Sequence, residues 1–513
     1  MGCTRREFLK HTAAAAALTA AAGAPCVSQA AGRADKPHIL LIMADQFRAD
    51  CLAADGNQAI HTPNLDRIAA EGILFRRAYS STPTCTPARA ALLTGLSPWR
   101  HGMLGYGRVG ERYSTEMPRL LRDAGYYTLG IGKMHWHPQR NTHGFHNTIL
   151  DESGRAETPE FRSDYRAWFA AEAPHLDPDA TGIGWNDYRG AQYALPEYLH
   201  PTWWTGATAT RFLYNYNQPE PFFLKVSFTR PHSPYDPPRR FLRRYEDTAL
   251  PPAAVGEWTT RFAERSGPDY TIWHGDLGEE QVRNSRQAYY GSVSFLDEQV
   301  GRILDALERR GWLEETLILF TADHGDMLGD HHLWRKSYAY ESSARIPMAI
   351  RWPAGITAAQ RGQVSWRPVE LRDVLPTFLD VAGVSIPDQL DGASLLSLTG
   401  ESPNWRPWID LEHNICYSPD NHWNALTDGQ VKYVFHARTG QEQLFDLRKD
   451  PMECRDLAAD SAHAAELDLW RRRLVEHLHE RGETFVKDAA LVLRPEGCLY
   501  FPHYPGCACH PRE

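Results

Sequence analysis

The segment Pro83-Thr84-Cys85-Thr86-Pro87-Ala88-Arg89 sets a thiol, a proline and a guanidinium at a spacing that can hold negative charge. Pro87 suits the first turn of a helix, and the Ala- and Leu-rich run 88–93 continues it. Cys85 then stands at the helix N-terminus, where free N–H groups and the helix dipole favour an anion. Arg89 follows one turn later on the same face. An anion at residue 85 would meet a helix end and a guanidinium together. A buried structural cysteine ahead of a capped helix is the alternative that this segment alone leaves open.

Further polar residues stand just past apolar runs. Asp45 ends the run 38–44 (HILLIMA), Lys133 follows 127–131, His232 lies beyond 222–228, and Asp323 lies beyond 316–321 (TLILFT). Continuous apolar runs of this length suit strands buried on both faces. In a parallel sheet covered by helices, polar site residues collect beyond the C-terminal ends of the strands. Gln46 and His324 accompany the two aspartates. Two carboxylates, an amide oxygen and an imidazole suit a hard divalent cation. Each of these residues alone would read as a helix cap, a turn or a hydrogen-bonded histidine.

Helical patterns over 63–71, 117–124 and 281–310 separate the strands. The expected fold class is α/β: a large, mostly parallel central sheet flanked by helices, with a smaller C-terminal α+β domain. The expected divisions are a signal over 1–30, a catalytic α/β domain over 31–399 and the smaller domain over 400–513. In the last, 431–436 reads as an exposed-type strand and 464–480 as an Arg-rich amphipathic helix.

At the N-terminus, Thr4-Arg5-Arg6-Glu7-Phe8-Leu9-Lys10 precedes an Ala-rich run over 12–24 and a small-x-small site at Ser28-Gln29-Ala30. A twin arginine before a short apolar stretch reads as a Tat-type signal peptide. The Tat export machinery is therefore an expected partner, and the periplasm or the exterior the expected location. No other run reaches a membrane-spanning length, so no stable span is expected. The chain's 513 residues are 42% hydrophobic and 23% charged, a globular composition. A formal net charge of −9 argues against a nucleic-acid partner, so an anionic substrate needs a local cluster of cations. An odd number of cysteines follows the signal, which suggests one special thiol. Cys498, Cys507 and Cys509 crowd the C-terminus, where a disulfide or a weak metal motif is open.

Cys85-Thr86-Pro87-Ala88-Arg89, followed by Leu93-Thr94-Gly95, resembles the signature of the type I, formylglycine-dependent sulfatases of the alkaline phosphatase superfamily. Other segments resemble that family's motifs in order: Ile42-Met43-Ala44-Asp45-Gln46, Gly132-Lys133-Met134-His135-Trp136, Arg230-Pro231-His232-Ser233-Pro234, Ala322-Asp323-His324-Gly325-Asp326, and Lys336 with Tyr340-Glu341 behind it. The resemblance implies that a formylglycine-generating enzyme oxidises Cys85 to formylglycine. It also implies one Ca2+ held by Asp45, Gln46, residue 85, Asp323 and His324; His324, in place of a more usual Asn, is also ordinary around Zn2+ or Mn2+. It implies a catalytic set of Cys85, Arg89, Lys133, His135, His232 and Lys336. In that set Arg89 holds the hydrated aldehyde, and Lys133 and Lys336 bind sulfate oxygens. His232 is the expected general acid, with Lys336 able to share the role, and His135 takes the proton that lets sulfate leave.

The expected function is hydrolysis of a sulfuric ester, with a sulfated carbohydrate as substrate and an aryl sulfate as surrogate. A phosphonate monoester or phosphodiester hydrolase is the close alternative. A non-catalytic glycan-binding protein would have lost a key residue, and none is missing. Trp136, His137, Arg230, Tyr235, Trp334, Arg335 and Tyr338 flank the set and are expected to recognise substrate.

Overall fold

The run HILLIMAD forms a strand, His38–Asp45 (β1), buried along its whole length because parallel neighbours flank both its edges. The structure is a computed structural model that describes residues 36–356, 361–400 and 404–506. The signal read over 1–30 and the pair Cys507 and Cys509 lie outside the described residues. The central sheet has eight strands: β1, Ile73–Phe75 (β2), Tyr127–Gly132 (β4), Asn147–Leu150 (β5), Phe222–Pro231 (β6), Thr316–Ala322 (β7), Met348–Arg351 (β8) and Gln363–Ser365 (β9). Their order is β5-β4-β6-β1-β7-β8-β2-β9. Only β8 pairs antiparallel with its neighbours, so the sheet is mostly parallel. A short parallel pair, Ala78–Tyr79 (β3) and Val369–Glu370 (β10), stands apart.

Alternation along β6 divides the helices between two layers. Phe222 packs against Phe212 of the helix Pro201–Asn215, which also meets the long helix Gly278–Arg309. Phe223 points the other way, onto Phe378 of the helix Val374–Val381. That second layer includes Cys85–Thr94 and Met117–Asp123. Both faces being covered explains why β1 and β7 carry no polar residue before their C-terminal ends, apart from His38 and the threonines.

The C-terminal region forms a separate antiparallel meander, Ile409–His413 (β11), Trp423–Thr427 (β12), Val431–His436 (β13) and Glu442–Asp446 (β14). The helix Ala464–Leu478 covers one face through Trp470, Leu474 and Leu478, which meet Tyr433, Phe435 and Leu444. The opposite face carries Leu411, Trp423 and Val434 onto Tyr79, Ala339 and Ala344. β13 is therefore buried on both faces, not the exposed-type strand expected over 431–436. Lys432 is buried as well, and pairs with Glu341 and Glu453 at 2.8 Å each. No helix among the described residues is long and apolar enough to cross a membrane.

Candidate active site

The helix Cys85–Thr94 begins at Cys85, with Thr84 as its extended N-cap, and all its residues are buried. Thr84 does not cap the helix with its side chain. Its hydroxyl meets Ser337 Oγ at 2.6 Å and His413 Nε2 at 3.0 Å instead. The N–H groups of the first turn therefore stay free to face charge at residue 85. Burial and Asp45 push the Cys85 thiol up, but Lys336, Lys133 and His324 outweigh them and hold it below its ordinary value.

The two aspartates at the ends of β1 and β7 divide their oxygens between two tasks. Asp45 Oδ2 pairs with Lys133 Nζ and lies 3.4 Å from Arg89 Nη2, and Asp323 Oδ2 accepts from Arg89 Nε at 2.9 Å. Their Oδ1 atoms turn toward His324 Nε2, at 3.8 Å and 3.7 Å, too far for hydrogen bonds. His324 Nδ1 donates to the Gly325 carbonyl at 2.9 Å, so Nε2 is the nitrogen turned toward the cluster. Cys85 Sγ lies 3.1 Å from that nitrogen. Ligand atoms of Asp45, Cys85, Asp323 and His324 all fall within 4.8 Å of one another, a donor set that fits one divalent cation. Gln46 adopts a positive φ of 64°. Its amide oxygen accepts from Lys336 Nζ at 2.8 Å, and its amide nitrogen donates to Asp326 at 2.5 Å.

Arg89 is the hinge of this arrangement. Besides both aspartates, it donates through Nη1 to the Lys133 carbonyl at 2.6 Å and to Ser227 Oγ at 3.1 Å. Lys133 reaches its place because β4 ends at Gly132, with φ 91°, where any Cβ would stand 2.0 Å from the Ser227 carbonyl. No other residue type fits there.

The expected acid, His232, is buried and donates from Nδ1 to the Ser233 carbonyl at 2.9 Å. Its Nε2 accepts from Lys336 Nζ at 2.8 Å. Burial and the neighbouring Lys336 hold its pKa well below the ordinary range, so the ring is neutral and Nε2 is its acceptor. His135 is also buried and held neutral by burial, Arg155 and Lys133; its Nε2 lies 3.3 Å from Tyr106 OH. The structure thus gathers Asp45, Gln46, Cys85, Arg89, Lys133, His232, Asp323, His324 and Lys336 through direct contacts, whereas His135 meets Tyr106 and none of these directly.

Several flanking residues have other tasks. Trp136 is in the core against His143 and Phe145. Tyr235 donates to Asp326 at 2.5 Å, and Trp334 Nε1 donates to the Gly275 carbonyl at 3.1 Å. All three are buried and hold the site's walls from behind. His137 pairs with Glu157 at 2.7 Å, away from the nucleophile's contacts.

The sulfatase family model matches residues 37–384 of this chain. The chain belongs to the sulfatase family. A second match, to the N-sulphoglucosamine sulphohydrolase C-terminal region, covers residues 329–480 of this sulfatase. An arylsulfatase of Clostridium perfringens is 39% identical over 471 residues, spanning 89% of this chain and 97% of that protein. A choline-sulfatase of Rhizobium meliloti is 34% identical over 443 residues, spanning 82% of each. The solved phosphonate monoester hydrolase of Agrobacterium radiobacter superposes with a TM-score of 0.73 at 27% identity, covering 90% of this chain and all of that one.

Two further features of the sulfatase site come from segments without any sequence signal. Trp185 stacks on the His232 ring at 3.9 Å, and Lys133 Nζ stands 5.0 Å from its centroid. The second is a buried link to the C-terminal sheet. His413, at the end of β11, donates from Nδ1 to the Asn421 carbonyl at 3.3 Å and accepts the Thr84 hydroxyl at Nε2. Ser337 N donates to the Pro83 carbonyl at 2.9 Å, and Trp423 Nε1 to the Ser337 carbonyl at 3.1 Å. This knot fixes Cys85 relative to Lys336. His413→Ala is expected to lower kcat on an aryl sulfate ~10-fold with KM little changed, and to cost about 1–3 kcal/mol of stability for the two buried hydrogen bonds lost, to Thr84 and Asn421. Steady-state kinetics with denaturant melts checks both; an unchanged kcat would show that the knot does not position the nucleophile.

Proposed function

We propose that this sulfatase hydrolyses a sulfate ester through a formylglycine made from Cys85, with one Ca2+ at Asp45, residue 85, Asp323 and His324. The observation that carries this reading is the position of Cys85. It stands at an open helix end, inside the cluster of metal-ligating atoms, with Arg89, Lys133 and Lys336 converging on the same buried carboxylates and amide. When in place, the hydrated formylglycine supplies the attacking hydroxyl and the cation supplies positive charge beside it.

This chain's own residues do the rest. Lys133 and Lys336 bind the sulfate oxygens and neutralise charge that grows as the ester bond breaks. Arg89 bridges Asp45 and Asp323 and fixes residue 85 through the Lys133 backbone. Lys336 Nζ gives its proton toward the leaving oxygen, and His232 Nε2 orients that ammonium by accepting one of its N–H bonds. His135, neutral and within reach of Tyr106, accepts the proton that must be lost before sulfate departs. Lys336→Ala is expected to cost more on esters of poor leaving groups than of good ones, ~10^3-fold against ~10-fold, because only a poor leaving group needs the proton. Rates across aryl sulfates of graded phenol acidity check this; equal losses would remove Lys336 from the proton-donating role.

Trp185, which stacks on His232, and Tyr106, which meets His135, also line a cleft of about 520 Å3, together with Asp151, Arg155, Arg230 and Asp236. Carboxylates and guanidinium groups beside flat rings suit sugar hydroxyls and a sugar face, which supports a sulfated carbohydrate as substrate. The Tat-type signal supports a periplasmic or secreted location, with folding and formylglycine formation inside the cell before export. The phosphonate monoester hydrolase likeness favours, as a second reading, a phosphorus ester at the same site. The test of the first reading is direct. Purified protein is examined by peptide mass for an aldehyde at residue 85, and turnover of an aryl sulfate is followed with and without a chelator. Aldehyde-bearing protein that turns over no sulfate ester would sink it.

A further inference from the structure

Arg335 differs from every other guanidinium near the site. Arg230 pairs with Asp236 at 3.0 Å, Arg155 with Glu152 and with Glu157, and Arg166 with Asp179 at 2.7 Å. Among the described residues no carboxylate lies within ion-pair reach of Arg335. It is half-buried, in a left-handed backbone conformation with φ 70°, immediately before Lys336. Two rings hold its guanidinium, Tyr417 at 5.2 Å and Tyr188 at 5.9 Å from their centroids.

That grip is stiff. Tyr188 donates its hydroxyl proton to the Ile272 carbonyl, so the hydroxyl oxygen accepts from Arg335 Nε at 2.5 Å. Tyr188 is buried and stacks on Trp334 at 4.6 Å. One edge of the guanidinium is fixed, and among the described residues its two terminal nitrogens have no hydrogen-bond partner. Arg335 is joined directly to Lys336, whose Nζ stands 2.8 Å from both Gln46 Oε1 and His232 Nε2, and Ser337 beyond it meets the Thr84 hydroxyl beside Cys85 at 2.6 Å. A fixed, half-desolvated guanidinium with a free fork is built for a carboxylate or a second sulfate.

We propose that Arg335 is a specificity residue that binds a second anionic group on the leaving part of the substrate, so that the preferred ester carries a carboxylate or another sulfate beside the one removed. This rests on the sulfatase reading above. The same charge disfavours a quaternary ammonium, which sets this chain apart from a choline ester specialist.

The test uses full-length, aldehyde-bearing protein and three probes: 4-nitrophenyl sulfate, its ring-carboxylated isomers, and choline sulfate. The best carboxylated isomer is expected to exceed the plain ester by ~10-fold or more in kcat/KM, the scale of one charge-assisted fork, with choline sulfate slowest. Arg335→Gln is expected to collapse the carboxylated-to-plain ratio to near one. Arg335→Lys, which keeps the charge in the same place without the fork, should retain part of it, so that a folding defect in the first variant does not decide the matter. Equal rates on the carboxylated and plain esters, a preference that survives Arg335→Gln, or choline sulfate as the best probe would each overturn the inference while leaving the sulfatase reading intact. Turnover of none of the three would instead count against that reading and take the inference with it.

Discussion

Cys85→Ala is expected to lower kcat/KM on an aryl sulfate at least ~10^4-fold while the protein stays folded. The two halves of that expectation have different causes. The loss follows from chemistry: a sulfate ester presents a poorly electrophilic sulfur ringed by anionic oxygens, and the cations around residue 85 lower the barrier only for a nucleophile placed at the helix end. Water does not occupy that place with the same geometry, so little of the rate survives. The retained fold follows from packing. Residue 85 is buried at the first turn of its helix, and removing Sγ takes away its 3.1 Å contact with His324 and little else. A cost within about 1–2 kcal/mol is expected for so small a truncation. Cys85→Ser should be as inactive, since its hydroxyl has no route to expel the bound sulfate. Activity within ~10-fold of the parent in either variant would place the nucleophile elsewhere.

Arg89→Met is expected to be the most destabilising single change in the site, by about 3–5 kcal/mol, and to abolish turnover. Arg89 has no exposed surface, and neither have Asp45 and Asp323. Burial pushes the Asp45 carboxyl up, but the charges of Lys133 and Arg89 outweigh it and hold the group well below the usual range. Methionine fills the space and leaves Asp323 without its cation and the Lys133 carbonyl and Ser227 hydroxyl without their donor. On the proposed reading that one Ca2+ binds the folded form, added Ca2+ should restore part of the loss and a chelator should deepen it. Denaturant titrations of both proteins, with Ca2+ and with chelator, measure this. A difference below about 1 kcal/mol under chelation would show that Arg89 does not hold the two aspartates together.

The parts of the site that were legible in the sequence are those whose chemistry and local structure reinforce each other. Asp45, Lys133, His232 and Asp323 follow apolar runs whose length fixes them as interior strands, and the parallel sheet brings the strand ends to one edge. Cys85 and Arg89 share a helix turn, which spacing alone conveys. The illegible parts depend on contacts between distant segments. Thr84 and His413 are 329 residues apart, and nothing in either neighbourhood announces the other. Trp185 comes from an irregular loop, and only the fold sets its ring against His232. Lys432 reads as a surface lysine because its two carboxylate partners come from other elements. The same blindness made Trp136, Tyr235 and Trp334 resemble substrate-binding rings: adjacency in sequence to Lys133, His232 and Lys336 does not say which way a side chain turns. The contact between His232 Nε2 and Lys336 was hidden for a similar reason, since it depends on the Ser233 carbonyl holding Nδ1.

The most direct measurement is a comparison of initial rates on an aryl sulfate and the matching aryl phosphonate monoester, using purified protein whose residue 85 is shown by peptide mass to be an aldehyde, with Cys85→Ala alongside. Faster turnover of the sulfate, lost in the variant, is the result expected of a formylglycine sulfatase. Faster turnover of the phosphonate by the same protein would contradict it and assign the site to phosphorus esters.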